Sequence, residues 1–236
     1  MIISLTAPKF VPGTQLPSFS SMIYVKFGAY LALLLMVGVI CIQRFKDLQR
    51  AETFIAILIW ATFCAEGAAT FQTLLRRNSQ PIYHVFSPIE FMLMCLYFNY
   101  SIRFFRRHKI GWFLGIAGTL LAVLNTLFLQ KATTINSYFL IIEGATIISC
   151  CFALFHQILL DEEELPYRFA SFWFTVCFCF FWGTTFTGWG ISSLLSKTDT
   201  ELNNLVSAVF TASNYIYYSG LALIFYQYKK LIPSGA

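Results

Sequence analysis

Charge is what this chain has least of. Asp, Glu, Lys and Arg together make up 11% of its 236 residues, where soluble domains carry about 25%. A deficit of that size has one ordinary cause, which is that most of the chain lies in lipid. Histidine is also rare, at three residues. The seven cysteines, at 41, 64, 95, 150, 151, 177 and 179, form no Cys-x-x-Cys pair, and their number is odd. They read as small hydrophobes that pack helices, not as a disulfide framework or a metal site.

Other absences narrow the function. There is no Gly-rich phosphate loop, no Ser-His-Asp order and no setting for a cysteine nucleophile. The last apolar segment has no lysine before Lys229, so a retinal Schiff base is excluded. The histidine set of the seven-helix zinc hydrolases of membranes is missing. No cofactor is implied, and no enzyme class is favoured. The first 20 residues lack a basic stretch followed by an apolar one, and Pro8, Pro12 and Pro17 oppose a long helix. Residues 1–21 are therefore expected to be an irregular leader outside the membrane.

Apolar residues dominate instead: 58% of the chain, with 26 Phe and a mean hydropathy of +0.67. Seven apolar runs are long enough to span a membrane, at 22–42, 51–75, 82–102, 110–129, 135–160, 169–195 and 205–228. Each is near the ~20 residues that a ~30 Å hydrocarbon core requires. Short gaps between them predict antiparallel neighbours in one domain, 22–230, with 231–236 as a tail. The expected fold is an all-α bundle of seven transmembrane helices. Net charge is +5, but placement matters more than the sum. Drawn on this topology, ten of the 16 Lys and Arg residues fall on one side, around 44–50, 103–109, 168 and 229–230. The positive-inside rule makes that side cytoplasmic, with the N-terminus outside and the C-terminus inside. Basic loops of this kind are topology signals facing anionic lipid, not a nucleic-acid surface.

Three glutamates stand inside these runs. Glu66 lies nine residues before 75, Glu90 eight after 82 and Glu143 eight after 135. At 1.5 Å per residue all three sit about 12–13 Å below the outer surface. A charge near mid-bilayer costs roughly 3 kcal/mol on insertion scales. Three at one level imply that they face inward and share a proton, a cation or hydrogen bonds. His84 and Asn136 lie nearer the outer rim, Asn125 enters from the fourth helix, and Asn214 and Tyr215 approach from the seventh. These eight residues are the candidate ligand-binding set.

Each has a plainer reading. Ser87-Pro88-Ile89-Glu90 fits a capping box that would start a helix at Ser87. That start leaves 15 residues to Ile102, about 22 Å of helix, which is short of a bilayer. A span from about 82 with a kink at Pro88 fits better, and it frees the His84 carbonyl. Glu66 and Glu143 could each make one interhelical hydrogen bond and nothing more. Without a second in-membrane histidine at its depth, His84 is a weak metal ligand. In the sixth run, Trp182-Gly183-Thr184-Thr185-Phe186-Thr187-Gly188-Trp189-Gly190 reads as a packing surface, with Thr hydroxyls bonding across helices. The acidic run at 161–164 reads as a solvated loop.

The sequence resembles a family of seven-helix membrane proteins of Bacteroidota. The likeness rests on Tyr83-His84 followed by Ile89-Glu90-Phe91, on Asn136-Ser137-Tyr138 with the later Glu143, on the acidic loop and on Tyr218-Ser219-Gly220. It extends from about residue 50 onward, although the Tyr-Ser-Gly element falls in the sixth helix of that family. It implies a polytopic bundle in a bacterial inner membrane and carries no catalytic role. On sequence alone, a non-enzymatic protein binding a small ligand, cation or proton in an outward-facing acidic pocket is the leading expectation. With no soluble output domain, a membrane or cytoplasmic protein partner would read the signal. A cation- or proton-coupled carrier and a metal-dependent membrane enzyme are the alternatives. The oligomeric state is not indicated.

Overall fold

The computed structural model describes the backbone of residues 17–160, 169–194 and 200–231, and the side chains of 27–160, 169–188 and 204–231. The leader through residue 16, the 161–164 acidic run, the tail beyond 231 and the Lys26 and Trp189 side chains lie outside these. The described chain is helical: α1 Pro17–Arg44, α2 Arg50–Leu74, α3 Gln80–Ser101, α4 Arg103–His108, α5 Ile110–Leu124, α6 Ser137–Leu160, α7 Ala170–Leu194 and α8 Thr200–Gln227. All but the short α4 contribute the seven helices long and apolar enough to cross a membrane. α1 starts at Pro17, inside the stretch expected to be irregular. Proline at the first helical position sacrifices only an N–H that has no partner there anyway.

Six of the long helices close a ring. α1 packs on α2, α2 on α3, α3 on α6, α6 on α7, α7 on α8, and α8 returns to α1. α5 lies outside the ring against α3. This makes α3 the central element, with 61% of its span buried against 22% for α5. The interior is aromatic. Tyr97 and Phe178 meet edge to face at 5.2 Å, Phe174 meets Phe225 at 5.1 Å, and Phe181 stacks on Tyr217 at 4.4 Å. Lipid competes with side chains for apolar contact, so close fit and dispersion hold such a core more than the hydrophobic effect does. All seven cysteines are free thiols, most of them packed in or against this core.

α5 holds α3 through absence of side chains. Gly111, Gly115, Gly118 and Ala122 recur at helical spacing and are all buried. A Cβ at Gly111 would collide with the Cys95 carbonyl oxygen and Asn99, and one at Gly118 with the Phe91 ring. The opposite face of α5 carries Phe113, Ile116 and Leu120, exposed to lipid. Asn99 Oδ1 accepts the Gly111 N–H at 3.1 Å, fixing the start of the helix.

α3 runs through Pro88 without a break. Ser87 therefore caps nothing; its hydroxyl donates to the Tyr83 carbonyl one turn back at 2.9 Å. In α7, Thr184 and Thr187 likewise donate to carbonyls of their own helix, at Phe180 and Gly183. They do not bridge helices as the sequence suggests, because a helical threonine reaches its i−4 carbonyl more easily than a neighbour.

The two ends of the bundle differ. At the basic end, Lys229 Nζ pairs with Asp47 Oδ2 at 3.2 Å, Arg44 reaches the Tyr226 carbonyl, and the Ala170 N–H meets the Leu231 carbonyl. At the opposite end, Asn78 Nδ2 donates to the Thr133 carbonyl at 2.8 Å and ties two loops together.

Candidate functional site

Glu66, Glu90 and Glu143 come from α2, α3 and α6, three successive members of the ring, in the half away from the basic end. All three are buried, with Glu143 fully so. Glu90 stands in the middle: its carboxyl is within Coulombic reach of Glu66 on one side and Glu143 on the other. Helix order alone produces this, since α3 separates α2 from α6.

Their surroundings differ. Glu66 Oε2 accepts the Tyr83 hydroxyl at 3.1 Å. Tyr218 lies near both Glu66 and Glu90, with its phenol against the hydroxyls of Tyr30 and Thr62. Tyr30 in turn donates to Asn214 Oδ1 at 3.3 Å, and Asn214 Nδ2 donates to the Phe210 carbonyl at 2.8 Å. Tyr215 is partly buried and meets the Tyr30 ring edge to face at 6.0 Å. Neither oxygen of Glu143 has a hydrogen-bond partner among the described residues. A buried polar group left so costs roughly 1–3 kcal/mol.

The remaining candidates go elsewhere. His84 uses both ring nitrogens: Nδ1 meets Thr126 Oγ1 at 2.9 Å and Nε2 meets the Thr134 carbonyl at 2.7 Å. Both nitrogens are thus engaged within the 125–137 connection. Asn125 Nδ2 donates to Gln130 Oε1 and Asn136 Oδ1, and Gln130 Nε2 donates to Ser137 Oγ. These bonds pin the 125–137 connection to α3 and α6. A π-helical turn at Asn125–Leu129 makes this possible. Its wider winding turns Asn125 and Thr126 inward while Leu127, Phe128 and Leu129 face lipid. His84, Asn125 and Asn136 are thus loop anchors in this structure. Replacing His84 by Phe is expected to remove two hydrogen bonds and cost about 1–3 kcal/mol. The loss should be read as faster amide exchange across 125–136, with α7 and α8 unchanged.

Tyr83 belongs to the cluster and stands in the sequence only as part of the Tyr83-His84 motif, whereas Tyr30 and Thr62 give no signal there, because tyrosine and threonine are ordinary in membrane helices. Only their position on ring-facing sides selects them. Among the described residues no three His, Cys, Asp or Glu side chains converge to hold a metal ion.

Fold and site together define a class: a multi-pass helical membrane protein carrying a buried ladder of carboxyls on adjacent helices. No protein-family model matches the chain, and neither a curated protein nor a solved structure matches it.

Proposed function

We propose that this protein binds protons at the Glu66–Glu90–Glu143 ladder and responds to their arrival from one side of the membrane. The observation that carries this reading is the adjacency of the three carboxyls within a buried cluster, together with the two unpartnered oxygens of Glu143. Negative charges that repel one another inside a bundle call for a positive species among them. The smallest such species is a proton. A metal cage is disfavoured by the occupied nitrogens of His84 and by the absence of a converging three-ligand group among the described residues.

On the positive-inside rule the ladder lies in the outer half of the bundle, with the N-terminus outside and the C-terminus in the cytoplasm. The joining of residues 44–49, 169–171 and 226–231 at one end supports placing those basic segments on one side. A bacterial inner membrane is the proposed location. Sensing is favoured over transport by the aromatic core: Tyr217 lies near Glu90 and touches Phe178, which touches Tyr97. These rings occupy the route from the ladder toward the basic end.

The test is infrared difference spectroscopy on the protein in lipid, cycled between acidic and alkaline buffer. Carboxyl C=O bands of buried acids are expected in the wild type, and Glu90→Gln is expected to alter the bands of both neighbours. Spectra of wild type and a Glu66→Gln, Glu90→Gln, Glu143→Gln triple variant that coincide would remove the proposal. Proton-driven charge movement in proteoliposomes, abolished by Glu90→Gln, would shift the reading to a carrier.

A further inference from the structure

At the basic end, a second polar cluster surrounds an open cavity. A space of about 230 Å³ is lined by Glu52, Ser101, Arg103, Arg106, Gln157 and Tyr228, among others, and adjoins one of about 360 Å³ lined by Gln49, Arg50, Ala51, Tyr100 and Arg106. These approach the ~300–1,000 Å³ of small-ligand sites.

Its chemistry has two signs. Glu52 is 5% exposed, and its Oε2 has no hydrogen-bond partner among the described residues. Ser101 Oγ also lacks a well-formed hydrogen bond, and it faces the Tyr97 hydroxyl, which lies against Ser101 and Thr175 outside the lining. Two of the eight orphaned buried side-chain atoms in the described structure, Glu52 Oε2 and Ser101 Oγ, thus belong to residues that line this one space. The Tyr228 hydroxyl accepts the Gln49 N–H at 3.2 Å and faces the other side of Glu52. Toward solvent, Arg103 and Arg106 are exposed side chains. Gln157 is held in place: its Oε1 accepts the Arg103 N–H at 2.7 Å and its Nε2 donates to the Ser101 carbonyl.

The start of α2 explains part of this. Glu52 stands in the first turn, where the helix dipole favours an acid. A dipole partner needs no burial and no cavity, and it does not account for Glu52 Oε2 being buried without a hydrogen-bond partner among the described residues. Guanidinium groups bind phosphate well and a buried carboxylate binds ammonium. Membrane proteins place basic pockets at this level for lipid headgroups.

We infer that this cavity binds a ligand carrying a phosphate and a primary amine, Arg103 and Arg106 holding the phosphate and Glu52 the ammonium. A phosphatidylethanolamine headgroup and free phosphoethanolamine share that chemistry. The site is separate from the carboxyl ladder, and its failure leaves the ladder untouched.

The experiment uses the full chain in detergent micelles and native mass spectrometry with one added ligand at a time. Phosphatidylethanolamine is expected to reach half occupancy at about tenfold lower concentration than phosphatidylglycerol, which lacks the amine, or phosphatidylcholine, which lacks the N–H donors. Glu52→Gln keeps the shape and removes the charge, and should bring the first two lipids to near parity. Arg106→Ala alters an exposed side chain, so the fold survives, and it should weaken both phosphatidylethanolamine and phosphatidylglycerol. Displacement of the lipid by soluble phosphoethanolamine, or binding of that molecule alone, supports the site and assigns its source as the free compound. Lack of displacement with lipid bound supports it as a lipid site. Equal occupancy by all three lipids, or a preference that Glu52→Gln leaves intact, overturns the inference.

Discussion

Gly111→Ala and Gly118→Ala are each expected to destabilise the protein by about 1–3 kcal/mol, the usual cost of overpacking a close-fitted contact. The added methyl at Gly111 meets main chain, the Cys95 carbonyl, which no rotamer change can move. At Gly118 it meets the Phe91 ring, which is 2% exposed and set edge-on against Phe139 at 5.6 Å. Gly67→Ala in α2 is the matched control. A Cβ there has no neighbour within 4 Å, so only helix propensity acts, and a gain of about 0.5–1 kcal/mol is expected. Unfolding followed by circular dichroism in mixed detergent reads all three. If the three variants moved together, the packing of α5 on α3 described above would be wrong.

Glu143→Met and Glu66→Met should act in opposite directions, although the two acids stand at similar depth. Glu143 holds two buried oxygens with no partner among the described residues. Replacing it with an apolar chain of similar length removes their desolvation cost and is expected to stabilise by about 1–3 kcal/mol. Glu66 accepts the Tyr83 hydroxyl. Its removal leaves that buried phenol without an acceptor and is expected to destabilise by about 1–3 kcal/mol. Each variant should lose its own carboxyl band from the infrared difference spectrum and alter that of Glu90. A Glu143→Met protein that is stabilised yet lacks that band is the pattern of a group retained for function at the expense of stability. Destabilisation by Glu143→Met would mean that its carboxyl has a structural partner, and Glu143 would leave the ladder.

The plainer readings of individual residues sort themselves by tertiary position. His84, Asn125 and Asn136 carry polar groups in an apolar setting, as Glu143 does, and sequence cannot tell them apart. In the structure, His84 satisfies both nitrogens locally and helps pin a connection, whereas Glu143 satisfies neither oxygen. Depth along a helix can be counted from sequence, but the rotational direction of a side chain depends on which neighbour each helix meets. The fourth apolar run illustrates this: its glycines are visible in sequence, but their role follows only from α5 lying against the wide side chains of α3.

Hydropathy and length by themselves determined the all-helical character, the seven spans and the burial of three acids within them. Each of these follows from the cost of exposing polar groups to hydrocarbon, which acts on residues one at a time. The ring order, the place of α5 outside it and the run of α3 through Pro88 were decided by tertiary packing. So were the pairing of Glu66 with Tyr83, the isolation of Glu143 and the cavity beside Glu52. Those depend on contacts between residues far apart in the chain, where shape and hydrogen-bond geometry choose among many arrangements of equally apolar helices.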